Sequence, residues 1–162
     1  MVGRRSLVRS ELIVVALLIA AAGLQATWPR VLSPAGVRPD LLTVISLAVG
    51  LYSGPWAGII VGFAAGLIGG SVGASALGAQ VAVRAAAGYL GGLVGERLHV
   101  DRVLVPAVAA GVFTLAAWAV HAALAGAGLA PGGAIGLQAA YNGVLGPLIC
   151  AIARPVRLDR LP

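Results

Sequence analysis

The chain has 162 residues, 60% of them hydrophobic and only 10% charged, and its mean hydropathy is +1.01. A soluble domain carries about 25% charged residues, so this composition excludes a water-soluble globular fold and indicates a polytopic, all-α membrane protein. No polar segment is long enough to fold outside the bilayer, and residues 1–162 read as one integral membrane domain.

The net charge is +6, and all 11 basic residues are arginine. Arginine selected for bidentate contacts and a coding bias toward Arg, Ala and Gly both account for this. The arginines gather at segment ends, where membrane topology explains them without nucleic acid. Cys150 is the one cysteine, so no intramolecular disulfide can form. It lies in an apolar segment and reads as a small packed residue.

Residues 1–10 form a short basic tail with Arg4, Arg5 and Arg9. Arg4-Arg5 before Ser6-Leu7-Val8 has features of a twin-arginine export signal, and a cleaved signal peptide is a further reading. The apolar segments downstream favour an uncleaved first span, about 12–28, ending at an interfacial Trp28. Ala16 and Ala20, like Ala22 and Ala26, are four apart and suit close helix contact. After a Pro-rich loop, span 2 covers about 40–53, with Asp40 as an anion at the helix N-terminus.

Span 3, about 55–72, lies in GPWAGIIVGFAAGLIGG, with glycine at Gly54, Gly58, Gly62, Gly66 and Gly70. In water each interior Gly costs about 1 kcal/mol relative to Ala. In lipid the segment must be helical, and the glycines let a neighbour approach backbone to backbone. A four-residue step turns the helix by about 400°. The stripe therefore drifts about 40° per step and is expected to wrap toward more than one neighbour. Packing within the chain and presentation to a partner chain are both open for it. Spans 2 and 3 fall short of the roughly 20 residues that cross a bilayer; broken, tilted and re-entrant forms are open for both.

Gly69 to Ser75 read as a flexible break, before span 4 at about 76–95. The mixed-charge loop ERLHVDR, residues 96–102, leads to span 5 at about 103–125 and span 6 at about 134–153. Six spans place both termini on one side. That side carries Arg4, Arg5, Arg9, Arg97, Arg102, Arg154, Arg157 and Arg160, eight against the two of Arg30 and Arg38, so the termini are expected to be cytoplasmic.

Arg84 lies inside span 4, where a charge needs a partner. Eight residues into the helix is about 12 Å of rise, and Asp40 is the acidic residue nearest in depth. An Arg84–Asp40 pair locking spans 2 and 4 is expected, with rescue by reversing both charges; an anionic ligand on Arg84 is the rival reading. Asn142, Tyr141, Gln80 and Gln138 are polar groups suited to interhelical hydrogen bonds. His121 reads as a packed or interfacial residue. No catalytic Ser/His/Asp set, intramembrane carboxylate pair, metal cluster or GxxxxGK[ST] loop is present. No enzyme activity, cofactor or metal is expected.

Several motifs resemble one family. They are Arg38-Pro39-Asp40-Leu41-Leu42, Gly58, Gly62-Phe63-x-x-Gly66-Leu67, Leu77-Gly78, Gly88-Tyr89-Leu90-x-Gly92, and Tyr141-Asn142 through Pro147-Leu148 with Arg154 beyond. In this order they resemble the bacterial rod shape-determining protein MreD. Gly70 stands where that family often has Asp, so that residue's role does not carry over. The resemblance implies a non-enzymatic membrane scaffold of the cell-elongation and peptidoglycan-synthesis machinery. Its implied partners are an MreC-like single-span coiled-coil protein, a RodA–PBP2-like synthase, MreB filaments and the lipid bilayer. It also implies a fold resembling the substrate-binding subunits of energy-coupling-factor vitamin transporters, and such a subunit is the alternative function.

Overall fold

A computed structural model describes residues 2–33, 36–72, 77–98, 104–125 and 132–153. Six α-helices carry the described fold: α1 Val2–Ala26, α2 Leu41–Ser53, α3 Pro55–Val72, α4 Leu77–Arg97, α5 Leu104–Ala125 and α6 Gly132–Ala153.

The helix at the centre is α2. Every residue from Leu41 to Leu51 is buried. One side of α2, with Leu41, Leu42, Ile45 and Val49, packs against Val14 and Leu18 of α1 and Ala57, Val61 and Ala65 of α3. The other side, with Val44, Leu47, Ala48 and Leu51, meets Ala109 and Ala110 of α5 and Cys150 and Ala153 of α6. A helix that is apolar all round belongs inside a bundle. This explains how a helix of 13 residues, about 20 Å by rise, stands in a membrane protein: its neighbours surround it. Both α2 and α3 are continuous helices, so neither is broken within its length.

Sequence signals set the ends of α2. Asp40 is its N-cap, accepting from the Thr43 backbone N–H at 3.2 Å. Gly54 follows its last turn at φ 88°, a left-handed conformation that favours glycine, and Pro55 then opens α3.

Helix α1 departs from expectation. It begins at Val2, so residues 2–10 are helical and not an extended tail. Arg and Leu are strong helix formers, and no proline interrupts the run. It ends at Ala26, where Thr27 bonds back to Gly23 O and Pro29 follows. Helix α3 continues through Gly69, Gly70 and Ser71, where a flexible break is expected; residues 73–76 of that break lie outside the described residues. Helix α4 runs on through Glu96 and Arg97.

By length and apolarity, Leu77–Arg97 and Gly132–Ala153 suffice to cross a membrane. Ser10–Ala26, Leu41–Ser53, Pro55–Ser71 and Leu104–Val120 are shorter apolar helices. The sequence expects six crossings; length and composition alone support two.

Candidate functional site

The glycine row of α3 lies along α4. A Cβ on Gly58 would overlap the Gly88 carbonyl, one on Gly62 the Arg84 carbonyl, one on Gly66 the Val81 Cα, and one on Gly70 the Leu77 side chain. The partners run backwards, so the two helices are antiparallel. The expected wrapping onto several neighbours is confined to Gly58, which also meets Gly50 of α2. The reason is geometric. A four-residue row is inclined by about 26° to its helix axis, and a helix crossing along that row meets each glycine in turn. On α4, Gly91 faces Leu47 and Gly95 faces Leu51 of α2. The sequence reading did not assign Gly50, Gly91 or Gly95 a packing role. Their signal was again a four-residue spacing, of Gly50 with Gly54 and of Gly91 with Gly95.

Beside this interface sits a polar centre. Arg84 is 5% exposed, held where the helix backbones are closest. Its Nη2 donates to Asp40 Oδ1 at 3.1 Å and Oδ2 at 3.2 Å. Its Nη1 donates to Gln80 Oε1. Gly69 of α3 leaves the room: a Cβ there would sit 3.0 Å from the guanidinium carbon. Asp40 also accepts from Thr43 Oγ1 at 2.7 Å and from Gln25 Nε2 of α1 at 3.3 Å. Its backbone N–H donates to Asn142 Oδ1 of α6 at 3.0 Å. Asn142 Nδ2 donates to Thr114 Oγ1 of α5 at 2.8 Å, and Thr114 Oγ1 donates to Ala110 O at 2.6 Å. One network thus ties together α1, α2, α4, α5 and α6.

A second strap closes the same end. Trp118 donates to Gln138 Oε1, Gln138 Nε2 donates to Arg38 O at 3.0 Å, and Tyr141 Oη donates to Leu32 O at 2.7 Å. Between the two straps lies a cavity of about 610 Å³, lined among others by Gln25, Arg38, Asp40, Thr43, Gly69, Gln80, Arg84, Thr114, Trp118, Gln138 and Asn142. All six helices reach it with the same end of the bundle. The second halves of α1, α3 and α5 and the first halves of α2, α4 and α6 supply its walls.

Asn142 is fully buried, so its loss has a defined consequence. Asn142→Leu leaves the Asp40 N–H without its acceptor and Thr114 Oγ1 without its donor. A loss of about 1–3 kcal/mol is expected, read as a lowered unfolding midpoint in detergent. An unchanged midpoint would show that the network does not tie α6 to α2.

The remaining candidates lie elsewhere. Ala16 and Ala20 are exposed on α1, as are Arg30 and Arg97; Arg38 is exposed at the cavity wall. Cys150 is buried between α2, α5 and α6. The side chains of Arg4, Arg5, Arg9 and His121, and the whole of Arg102, Arg154, Arg157 and Arg160, lie outside the described residues. The described residues hold no cluster of three potential metal ligands. Gln25, Thr43 and Thr114 are network members that sequence reasoning missed. Isolated polar residues carry no periodic mark, though Thr43 three residues after Asp40 fits a capping contact.

No curated protein and no solved structure matches the chain. The family model for rod shape-determining protein MreD matches residues 4–125, from α1 through α5 and including Asp40, Arg84 and the whole α3–α4 glycine interface. The chain therefore belongs to the MreD family of rod shape-determining membrane proteins.

Proposed function

We propose that this chain is a non-catalytic, six-span scaffold of the cell-elongation complex, and that it holds the transmembrane helix of a single-span partner between α1 and α3. Family membership supports the role in rod shape. The arginine count, eight on one side against two on the other, supports cytoplasmic termini. On that orientation the polar cavity faces outward.

The observation that carries the docking site is an apolar groove of about 220 Å³ between α1 and α3. Val14, Val15, Leu18, Ala57, Ile60, Val61 and Ala64 line it, with Glu11 at one end. Ala57 and Ala64 keep its floor low, the small-residue geometry that lets a further helix approach. The glycines Gly58, Gly62, Gly66 and Gly70 support this surface from behind, because their own free face is taken by α4. Ala16 and Ala20 are exposed on the side of α1 turned away from this groove, where they form a separate small-residue stripe for another helix. Cytoplasmic arginines would add contact with anionic lipid.

Co-purification in mild detergent tests the reading. An MreC-like coiled-coil protein together with a glycosyltransferase–transpeptidase pair is the expected recovery. Val15 and Ile60 are 52% and 53% exposed, so Val15→Trp with Ile60→Trp fills the groove without disturbing the core. Recovery of the single-span partner should fall about tenfold, equivalent to about 1.4 kcal/mol, at unchanged accumulation. Full recovery with the groove filled removes it from the proposal.

A second reading, a substrate-binding subunit of an energy-coupling-factor transporter, is favoured by the polar cavity alone. It requires a pair of ATPases and a membrane coupling subunit in the same experiment.

A further inference from the structure

The polar cavity offers hydrogen-bonding capacity that the described residues leave unused. The carboxylate of Asp40 is committed, since it accepts from Arg84, Gln25 and both the backbone and hydroxyl of Thr43. Two of the residues that line it each hold a buried atom, just behind the wall, with no hydrogen-bond partner among the described residues. These atoms are Arg84 Nε, a donor, and Gln25 Oε1, an acceptor. Arg38 is also on the wall and exposed. Its guanidinium has no ion-pair partner among the described residues. Two guanidinium groups against one carboxylate leave the wall with a net positive charge.

These features specify what complements the cavity. A cation finds no uncommitted carboxylate. An apolar molecule leaves a buried donor and a buried acceptor unpaired, which is costly. An anionic oxygen satisfies the Arg84 Nε–H and the Arg38 guanidinium together, and guanidinium groups match phosphate geometry. A hydroxyl donor on the same molecule satisfies Gln25 Oε1. Position decides between anions. The cavity runs from Arg38, on the α1–α2 loop near the Trp28 that bonds it, down to Arg84, Thr114 and Asn142 within their helices, and the interfacial tryptophan places its mouth at headgroup level. Phosphodiesters occupy that level in a bilayer. A cavity of about 610 Å³ accommodates a phosphodiester with a short polyol.

We propose that this cavity binds a hydroxyl-bearing phosphodiester of one net negative charge. Its phosphate lies between Arg38 and Arg84 Nε, and its hydroxyl donates to Gln25 Oε1. The headgroup of an anionic phospholipid and a free glycerophosphodiester share this chemistry. The inference is independent of any partner in the α1–α3 groove.

The test uses the full chain, delipidated in a neutral detergent. It is titrated with phosphatidylglycerol, with its deacylated form glycerophosphoglycerol, with phosphatidylmethanol, which has the charge but no hydroxyl, and with phosphatidylcholine. Bound ligand is read by native mass spectrometry. Phosphatidylglycerol should bind about tenfold more tightly than phosphatidylcholine and about fivefold more tightly than phosphatidylmethanol. Arg38→Gln, an exposed change that spares the core, should weaken it about tenfold. Binding of glycerophosphoglycerol as well identifies a free solute as sufficient; binding of the diacyl lipid alone identifies the membrane as the source. Equal binding of all three lipids, or an Arg38→Gln variant that binds like the parent, overturns the proposal. The groove variants Val15→Trp and Ile60→Trp should bind these probes normally, so loss of partner and loss of ligand are separate results.

Discussion

Asp40→Leu will destabilise this protein more than Asp40→Leu and Arg84→Met together. Arg84 is 5% exposed, with both oxygens of Asp40 against one of its nitrogens. Removing one member of a buried ion pair costs about 3–5 kcal/mol, because the other charge stays behind without compensation. Removing both charges avoids that penalty and retains side-chain volume. Asp40 has a second task, since it caps α2 through Thr43, and a lost cap costs about 1 kcal/mol. Asp40→Asn keeps a capping oxygen and should fall between the parent and Asp40→Leu. For the same reason, reversing both charges, Asp40→Arg with Arg84→Asp, should rescue only part of the loss. An arginine at position 40 cannot accept from Thr43 or Gln25. The check is a denaturant titration in detergent, together with accumulation in cells. Full rescue by the charge swap would show that the cap is idle. A double neutral variant no better than Asp40→Leu would show that Arg84 and Asp40 are not energetically coupled.

This centre was only partly legible in the sequence. Arg84 and Asp40 stand out because charge is scarce in an apolar chain and each needs a counterpart. Gln25 and Thr114 do not stand out, because one polar residue on an apolar helix looks the same whether it faces lipid, a cavity or a neighbour. The helices were largely legible: their apolar runs and the Gly54-Pro55 turn mark where they begin and end. What misled was α2. Its apolar run is short, and a short apolar run fits a re-entrant segment as well as a buried central helix. Only the five surrounding helices decide between them, and that is tertiary information. The glycine row announced close packing plainly but not its direction. A row of glycines records that something comes near, and the incoming surface, Gly88 with the Arg84 backbone, is written on another helix.

That surface makes Gly88 the position least able to take a side chain. Three helices meet there: a Cβ on Gly88 would overlap the Gly58 carbonyl, and one on Gly50 or Gly58 would overlap the Gly88 carbonyl. The obstruction is backbone, so no rotamer change relieves it, and α2, α3 and α4 must separate. Overpacking costs about 1–3 kcal/mol where side chains give way. Gly88→Ala should reach the top of that range, and Gly88→Leu, like Gly62→Leu with Gly66→Leu, should abolish accumulation. Gly78 is the control on the same helix. It is exposed, and among the described residues nothing lies within 4 Å of a Cβ there, so Gly78→Ala should be neutral or gain up to about 1 kcal/mol. Equal stability of Gly88→Ala and the parent, in the same titration, would mean that the helices are not in backbone contact. The comparison also separates two ways of losing function. Changes in the glycine row act on the bundle itself and should remove the protein. Changes in the α1–α3 groove should leave the protein in the membrane and remove only its partner. On the proposed docking the glycines act indirectly, by drawing α3 onto α4 and leaving its opposite side, with Ile60 and Ala64, turned toward α1.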